Sequence, residues 1–322
     1  MILTQTPYRI SFFGGGTDYR EWYEQNGGSF ISMSIDKYCH IFLRHLPPFF
    51  PYKSQIVWSK IEQVMNNSEI THPVVAAALT DAKIEQVELH HIGDLPARSG
   101  LGSSSSFVVG LIHGLSKLKG EVISREELAK AAIDLERNTL GELGGIQDQI
   151  AVTFGGMNVV NIRKNGEFMV ESVELNGHKL EQFESSLMLV FTGLFRDSTK
   201  VLEDYPKNSA QYNRSLENIA KITEQAKSVL TSTTLAEDFG ALMNETWHLK
   251  KQLSQNISNT QIDEIYCEAM SAGAYGGKLL GAGAGGFMVF SVPIEKKKAV
   301  ENRLRKLIHV PVKLDKQGAT VR

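Results

Sequence analysis

The sequence predicts an α+β protein that is built from two lobes. The chain has 322 residues, which is enough to bury a large core either as one two-lobed unit or as two domains. Its first half alternates strand-like and helix-like segments around glycine-rich turns, whereas helix-like segments dominate from about residue 197. We expect the boundary within residues 165–185 and divide the chain into an N-terminal domain (1–175) and a C-terminal domain (176–322).

Composition places the chain among globular proteins and argues against several classes. Hydrophobic residues make up 42% and charged residues 22% of the sequence. The formal net charge of −2 gives no electrostatic reason to expect a nucleic-acid partner. Two cysteines, Cys39 and Cys267, are too few for a disulfide framework and have no metal-site spacing. Without a basic leader or a long apolar run, we expect a cytoplasmic monomer or homodimer with no membrane partner.

The first elements are predicted from the alternation of apolar and polar residues. Residues 2–13 suit a strand that runs into a glycine turn. Residues 29–35 and 38–43 alternate in the same way and carry β-branched and aromatic side chains. Asp36-Lys37 separates these two runs, which predicts a β-hairpin that turns at these residues.

Helix starts are predicted from proline and from capping residues. Pro73 suits the first turn of a helix. Ser124 and Glu127 form a capping box before apolar residues at helical spacing, and this helix is expected to end near Gly141. Residues 87–91 are predicted as a strand. In the second half we expect strands at residues 187–191, 286–292 and 310–314, and a helix at residues 262–272.

The most informative segment is a glycine–serine loop at residues 96–106, Pro-Ala-Arg-Ser-Gly-Leu-Gly-Ser-Ser-Ser-Ser. Gly100 and Gly102 let the backbone bend tightly and approach a ligand. An apolar, helix-like run follows, so the loop opens onto a helix N-terminus, where free N–H groups and the macrodipole favour phosphate. The serine hydroxyls can serve phosphate oxygens or Mg²⁺. A flexible linker is the competing interpretation, but linkers are not normally flanked by a strand and an apolar helix.

Two further glycine clusters lie at residues 14–18 and 281–286. A P-loop signature is absent, because the Gly-Lys pair at residues 277–278 is followed by Leu279. The third cluster matches Gly-x-Gly-x-x-Gly but leads into an apolar strand rather than a helix, which argues against dinucleotide binding. We interpret it as a loop that closes one wall of a site by bringing backbone close to a substrate.

Taken together and in this order, residues 7–20, 96–110 and 278–290 resemble the three motifs of the GHMP kinases. This family of small-molecule kinases includes galactokinase and the homoserine, mevalonate and phosphomevalonate kinases. The resemblance spans nearly the whole chain. It implies a two-lobed α+β fold with the nucleotide in the cleft, ATP and Mg²⁺ as cofactors, and a small-molecule acceptor.

The resemblance implies catalytic roles for two residues. Asp148, in the segment Gly-Gly-Ile-Gln-Asp, resembles the aspartate that faces the acceptor hydroxyl in the sugar-kinase and mevalonate-kinase branches. There it would take the hydroxyl proton or orient the hydroxyl. Arg9 stands where galactokinase-like enzymes carry an arginine beside that aspartate, and it would neutralise charge on the transferred phosphoryl group. In the alternative interpretation, Asp148 decorates a helix start and Arg9 ends a strand.

The ATP site is assigned to the glycine–serine loop. Eight residues are expected to bind the nucleotide, namely Arg98, Gly100, Leu101, Gly102, Ser103, Ser104, Ser105 and Ser106. Mg²⁺ takes one or two carboxylates together with phosphate oxygens. The resemblance places Glu136 opposite the loop, so Ser104 and Glu136 are the expected metal ligands. A carboxylate at the edge of an apolar helix face is, however, usually solvated or paired with a cation.

The form Gly-Gly-Gly-Thr-Asp resembles a branch that phosphorylates the anomeric hydroxyl of sugars, which includes heptose 7-phosphate kinases with fucokinase-like and arabinokinase-like relatives. Residues 35–38, 46–50 and 245–251 also resemble the heptose branch. Asp18, the aspartate of this motif, would hold sugar hydroxyls. The residues expected to bind the substrate are Gly15, Gly16, Thr17, Asp18, Gly283 and Ala284.

The implied reaction is ATP-dependent phosphorylation of D-glycero-D-manno-heptose 7-phosphate at C1. Such a substrate needs a second anion site, for which Lys37, Arg98 and Arg196 are candidates. Two alternatives stay open. One is another sugar 1-kinase of the family, and the other is a non-catalytic, sugar-sensing relative.

Overall fold

Two β-sheets carry the fold in the computed structural model, which describes residues 1–195, 198–205 and 209–322. Within the described residues, alternating or continuous apolar segments form twelve strands, most of them bounded by glycine, proline or polar residues. In chain order they are β1 (Ile2–Phe13), β2 (Gly28–His45), β3 (Ser54–Val57), β4 (Ile61–Val64), β5 (Val87–Gly93), β6 (Met157–Ile162), β7 (Phe168–Ser172), β8 (Leu187–Phe191), β9 (Gly276–Leu279), β10 (Phe287–Ser291), β11 (Ile308–Val310) and β12 (Thr320–Val321).

Helices cover the sheets and supply several site residues. In chain order they are α1 (Arg20–Asn26), α2 (Pro73–Ala82), α3 (Ser103–Leu118), α4 (Arg125–Asp134), α5 (Gln147–Phe154), α6 (Gly177–Ser186), α7 (Ser198–Glu203), α8 (Ala210–Val229), α9 (Leu235–Lys251), α10 (Thr260–Ser271) and α11 (Ile294–Arg303). A π-helical turn at Leu135–Thr139 extends α4. The predicted helix start at Pro73 and the capping box of Ser124 with Glu127 are confirmed. In the part of the chain that the structure describes, no helix is both long and apolar enough to cross a bilayer.

The long strand β2 organises the first sheet. Its first part pairs with β6 and its last part with β5, while β1 pairs along nearly its whole length. The sheet has the order β12-β1-β2-β5-β3-β4, and β6 and β7 continue it beside the first part of β2. The second sheet has the order β11-β8-β10-β9. The predicted strand that leads into the glycine–serine loop is β5, and α3 follows the loop.

The hairpin predicted around Asp36-Lys37 is wrong, because these two residues form a bulge inside β2. The pairing register jumps between Pro7 and Tyr8, which lie opposite Tyr38 and Ile35, so β1 continues past both extra residues. The segment near residue 313 replaces the lost ladder bonds, since the Asp36 N–H donates to the Lys313 carbonyl at 2.9 Å. A turn-forming pair can therefore sit within a strand when a third segment satisfies its backbone.

The strand predicted at residues 310–314 is also misplaced. The structure ends β11 at Val310, immediately before Pro311, which has no N–H for a sheet ladder. The chain then returns to the first sheet, where Leu314 bridges Ile35 and β12 pairs with β1. The first sheet thus draws on residues from both sides of residue 175. The division into domains 1–175 and 176–322 stays a proposal.

An aromatic cluster joins the first sheet to helices of the C-terminal half. Phe12 of β1, Phe183 of α6 and Phe239 of α9 are all at most 1% exposed. Their rings meet edge to face, with centroids 5.0 Å apart for Phe12 and Phe239 and 5.3 Å apart for Phe183 and Phe239. Edge-to-face pairs add to the stability from burial alone. The cluster lies in the core that holds the two sheets together.

Replacing Phe239 with alanine should lower the free energy of unfolding by roughly 3–5 kcal/mol, because it removes a buried ring and leaves a cavity. Urea unfolding followed by circular dichroism measures this loss. The control is Phe49→Ala, since Phe49 is 89% exposed and its removal should change stability by only about 0.5 kcal/mol. A loss below about 1 kcal/mol for Phe239→Ala would show that the cluster is not a stabilising element.

Candidate active site

Residues from all three glycine clusters border one cavity. From the first cluster come Gly15, Gly16 and Asp18, and from the third come Gly281 and Ala282. The glycine–serine loop contributes its residues Arg98, Gly100, Gly102, Ser103, Ser104 and Ser105. Arg9, Glu136 and Asp148 complete the predicted set. The chain thus folds three segments that are far apart in sequence around a single concave site, as a ligand pocket requires.

The glycine–serine loop needs left-handed backbone at three positions, Arg98, Gly100 and Gly102, with φ angles of 59°, 87° and 74°. Gly102 is the residue that precedes α3. A β-carbon at Gly102 would lie 3.2 Å from Cγ of Arg9 and 3.5 Å from Oδ2 of Asp148. Glycine therefore lets the loop pass directly over this charged pair and present the free N–H groups of α3 to the cavity.

Arg9 connects the loop to Asp148. Its Nε donates to Oδ1 and its Nη2 to Oδ2 of Asp148, at 2.8 and 2.7 Å, so the ion pair is bidentate. Its Nη1 donates to the carbonyl of Gly100 at 2.7 Å, and its backbone N–H donates to the carbonyl of Leu101. One buried arginine on β1 thus fixes both the glycine–serine loop and the carboxylate.

Asp148 lies in the first turn of α5 and faces the cavity. Its side chain keeps 28% exposure, whereas the side chain of Arg9 keeps 4%. The carboxylate is therefore bound by the guanidinium on its buried side and is open to a ligand on the cavity side. Asp148 was interpreted either as a residue of a helix start or as a residue of the site. The structure fits both interpretations, since Asp148 is in the first turn of α5 and also borders the cavity.

Glu136 lies in the π-helical turn and is 1% exposed. Ser104 donates to Oε1 at 3.1 Å and Ser105 to Oε2 at 2.8 Å, and the amide of Gln149 also donates to Oε2. Burial raises the pKa of Glu136 to about 7, and the positive charge of Arg137 opposes the increase. Glu136 thus lies opposite the glycine–serine loop, as the family resemblance implied, and the alternative of a solvated carboxylate at a helix edge does not fit its burial.

The Ser104–Glu136 pair fits a Mg²⁺ ion. Mg²⁺ prefers hard oxygen ligands and binds through one or two carboxylates together with phosphate oxygens. Within the described ranges, no ion pair to a cationic side chain involves Glu136, so a cation here would offset the cost of its burial. Ser104 and Glu136 both line the cavity beside the start of α3.

The first glycine cluster forms a turn that holds Asp18. Oδ1 of Asp18 accepts from the Gly16 N–H at 2.9 Å, and Oδ2 accepts from the Gln147 N–H at 3.1 Å. Burial is the largest cause that raises the pKa of Asp18, and the negative charge of Asp148 raises it further. Gly145 must be glycine, because its β-carbon would lie 1.8 Å from Oδ2 of Asp18.

Five residues predicted at the site do not border the cavity. Thr17 is fully buried, and its hydroxyl donates to the carbonyls of Gly14 and Ser29. Leu101 and Ser106 are also fully buried, and the Ser106 hydroxyl donates to the Pro7 carbonyl. These three side chains hold the two turns in shape. A direct contact with ligand is not supported for their side chains.

The third cluster borders the cavity two residues before the predicted positions. Gly281 and Ala282 line it, whereas Gly283 and Ala284 lie against Ile257, whose carbonyl accepts from the Ala284 N–H at 2.8 Å. These two complete the five. Further along, the carbonyl of Ser99 in the glycine–serine loop accepts from the Phe287 N–H at 3.0 Å. The residue that follows the third cluster is thus hydrogen-bonded to the glycine–serine loop.

The candidates for a distal anion site separate clearly. Arg98 is exposed and lines the cavity. Lys37 does not line it, because this lysine lies in the bulge of β2 and its amine donates to Asp36 at 2.9 Å. Arg196 lies outside the described residues. Of the two described candidates, Arg98 is the one that lines the cavity.

Sequence patterns did not single out several further cavity residues. Thr246 and Lys250 lie in the segment 245–251, which resembled the heptose branch without an assigned role. Arg137 donates to the carbonyls of Glu142, Leu143 and Gly145 and shapes the opposite wall. Lys278 of β9 is 3% exposed. A lysine inside a buried strand was the available signal for this residue.

Comparison with known proteins agrees with this geometry. Family models of the GHMP kinases match the chain, the N-terminal domain at residues 70–156 and the C-terminal domain at residues 231–310. The chain is 33% identical to the D-glycero-alpha-D-manno-heptose 7-phosphate kinase of Campylobacter jejuni over 95% of this chain and 93% of that protein. It is 26% identical to the bifunctional fucokinase/GDP-fucose pyrophosphorylase of Arabidopsis thaliana, over 96% of this chain and 32% of that longer protein.

A solved structure extends the comparison to the fold. The D-glycero-D-manno-heptose 1-phosphate kinase from Bacteroides thetaiotaomicron superposes with a TM-score of 0.82 at 22% identity, over 100% of this chain and 99% of that one. At this identity the match shows a common fold. The protein is therefore a kinase, an enzyme that transfers a phosphoryl group. Within that class, the chain belongs to the GHMP kinase family, as its three glycine clusters predicted.

Proposed function

We propose that this kinase transfers the γ-phosphoryl group of ATP to the anomeric hydroxyl of a sugar, namely C1 of D-glycero-D-manno-heptose 7-phosphate, and forms the 1,7-bisphosphate. One observation carries the proposal. The guanidinium of Arg9 binds both oxygens of Asp148 and also the Gly100 carbonyl of the glycine–serine loop. The group that would meet the acceptor is thereby fixed beside the loop that would hold the phosphates.

The nucleotide phosphates would bind at the glycine–serine loop and the first turn of α3. Gly100 and Gly102 allow close approach of the backbone, and the N–H groups at the helix start suit anionic oxygens. The hydroxyls of Ser103 and Ser104 face the same cavity. Arg98 lies at its exposed edge. This arrangement supports ATP as the phosphoryl donor.

Ser104 and Glu136 would hold Mg²⁺ next to the phosphates, since they place a hydroxyl and a buried carboxylate on the same wall. When bound, the ion would draw charge from the transferring phosphoryl oxygens. Gln149 and Ser105 would keep the carboxylate in position through their bonds to Oε2.

Asp148 would orient the acceptor hydroxyl and accept its proton as the hydroxyl oxygen forms a bond to the γ-phosphorus. The bond from that phosphorus to the β-phosphate bridging oxygen breaks, and ADP leaves. Phosphoryl transfer depends mainly on alignment and neutralisation of charge. Arg9 would supply part of that neutralisation. Asp18, with Gly15 and Gly16, borders the side of the cavity where sugar hydroxyls would bind.

The names of the relatives support a heptose phosphate as the acceptor. The Campylobacter jejuni relative is named for a heptose with its phosphate on C7. The Bacteroides structure is named for a heptose 1-phosphate. Both names describe a seven-carbon sugar that already carries a phosphate. We take the C7 phosphate as the acceptor form because the more identical relative carries that name.

The unphosphorylated heptose and mannose should have a kcat/KM roughly 10- to 100-fold below that of the heptose 7-phosphate. Charge-assisted hydrogen bonds to the distal phosphate contribute about 1.5–3 kcal/mol. A coupled assay of ADP formation over a sugar panel measures this ratio. Heptose 1-phosphate belongs in the panel, and its preferential use would move the acceptor position from C1 to another hydroxyl.

A second candidate function is a fucokinase-like sugar 1-kinase, which the match to the Arabidopsis protein favours. Preference for free fucose, arabinose or galactose would select this candidate. If no sugar and ATP pair gave ADP, the third candidate, a sugar-sensing protein without catalysis, would stand.

A further inference from the structure

Lys278 is a buried lysine at a core-facing position of the second sheet. It lies in β9 opposite Val289 of β10, and the side chain is 3% exposed. Its amine reaches the first sheet, where it donates to the Phe12 carbonyl of β1 at 2.8 Å. A strand position of this kind normally carries an apolar residue. The ammonium group therefore has a cost that the fold alone does not offset.

The charge of Lys278 lacks a partner within the described part of the chain. An ammonium has three N–H donors, and the bond to Phe12 uses one of them. None of the ion pairs between described residues includes Lys278. Burial, and then the positive charge of Arg9, lower the pKa of Lys278 to about 7. A buried cation without a counter-charge is destabilised, and an incoming anion would relieve that cost.

Lys278 also lies where an anion would arrive, because it lines the cavity with Arg9 and Asp148. Arg9 is already bound to the carboxylate and to the Gly100 carbonyl, so its charge is largely committed. Two other acidic side chains that line the same cavity are held by other donors, Asp18 by backbone N–H groups and Glu136 by hydroxyl and amide groups. Among the described residues, Lys278 lines the cavity and donates only to the Phe12 carbonyl, so it has donors left for a ligand.

We propose that Lys278 is a substrate-binding residue of this kinase whose ammonium group binds a phosphate oxygen in the interior of the cavity. Two phosphates could supply that oxygen, the terminal phosphate of the nucleotide and the phosphate of the acceptor sugar. The inference rests on the proposed function for the second source, and on the kinase family alone for the first. In either case Lys278 joins the second sheet to the first sheet through the ligand as well as through Phe12.

The test compares Lys278→Met with Lys297→Met, which is a matched control. Lys297 is also part-buried, its amine donates to the Ser185 and Leu187 carbonyls, and burial lowers its pKa, but it does not line the cavity. Dissociation constants are measured by calorimetry for a non-hydrolysable ATP analogue with Mg²⁺, for heptose 7-phosphate and for the unphosphorylated heptose. We expect Lys278→Met to weaken one phosphorylated ligand roughly 10- to 100-fold, the range for a charged hydrogen bond.

The two ligand arms identify the source of the phosphate. Weaker binding confined to the ATP analogue assigns the oxygen to the nucleotide, and weaker binding confined to heptose 7-phosphate assigns it to the sugar. Unchanged affinity for both ligands would overturn the proposal. So would equal weakening of the phosphorylated and unphosphorylated sugars with the nucleotide unaffected, because that pattern indicates a deformed cavity rather than a lost charge.

A second variant covers the case in which Lys278→Met does not fold. Lys278→Gln removes the charge but retains a polar, if shorter, side chain with N–H donors. The same ligand series then applies. If the unmodified enzyme neither binds nor phosphorylates the heptose, the proposed acceptor fails. The affinity of the Lys278 variant for the ATP analogue, and for the phosphorylated form of the sugar that the enzyme does accept, still decides the role of Lys278.

Discussion

Replacing Asp148 with asparagine is expected to lower kcat by roughly two to four orders of magnitude, the range for lost general-base assistance. Asparagine has the same shape, so the helix start should persist. The amide cannot accept the hydroxyl proton, and it offers Arg9 one acceptor oxygen where the carboxylate offers two. The transferred phosphoryl group would then meet a less well aligned nucleophile beside a guanidinium that has lost its counter-charge.

Affinity for ATP should change little in Asp148→Asn, because the glycine–serine loop keeps its own bonds to Arg9 through Gly100 and Leu101. Single-turnover rates measure the chemical step, and binding of an ATP analogue measures the nucleotide site. Asp134→Asn is the control, since Asp134 is exposed on α4 and does not line the cavity. A kcat close to that of the unmodified enzyme would remove Asp148 from the reaction.

Replacing Glu136 with glutamine should raise the Mg²⁺ concentration for half-maximal activity by roughly 10-fold or more, a cost typical of altered metal-site residues. The amide oxygen keeps an acceptor for Ser104 or Ser105 but removes the negative charge. Glu126→Gln is the control, because Glu126 is exposed and pairs with Lys130. If the Mg²⁺ titration curves of Glu136→Gln and the unmodified enzyme coincide, Glu136 has a structural role.

The same substitution should stabilise the metal-free protein at alkaline pH. Burial raises the folded pKa of Glu136 from 4.5 to about 7. The folded state therefore binds this proton more tightly, so its stability falls as pH rises from about 4.5 to about 7. The loss is then nearly complete at about pH 8, where it amounts to about 3 kcal/mol. Urea unfolding in the presence of a chelator measures the free energy of unfolding of both proteins. The difference between Glu136→Gln and the unmodified protein should be more favourable to the variant at pH 8 than at pH 5.

Sequence patterns predicted best those parts of the site that depend on local backbone conformation. The glycine–serine loop, the helix that follows it and the capping box at Ser124 were predictable, because glycine, serine and glutamate report local conformation directly. The meeting of Arg9 with Asp148 could be predicted only through the family resemblance, since 139 residues separate them. A single sequence contains no information about such long-range pairs unless its motifs are already known.

Side-chain direction could not be predicted from the motifs alone. Thr17, Leu101 and Ser106 belong to the predicted motifs but point into the protein, because a tight turn needs internal hydrogen bonds and apolar support. Asp36-Lys37 has the local signature of a turn, and the distant segment that converts it into a bulge cannot be identified from local propensity. Lys278 went unassigned for a related reason, since its burial depends on the packing of two sheets.

The position of Arg9 has a consequence for how the two substrates communicate. Because one planar guanidinium contacts both the glycine–serine loop and Asp148, a shift of either one would disturb its bond to Arg9. A shift of the loop on nucleotide binding would then be passed to the carboxylate through Arg9 and would alter the affinity for the acceptor. Thermodynamic reciprocity requires the acceptor to change nucleotide affinity by the same factor. If the proposed roles of the loop and of Asp148 are right, Arg9 is the side chain through which binding of one substrate would alter the affinity for the other.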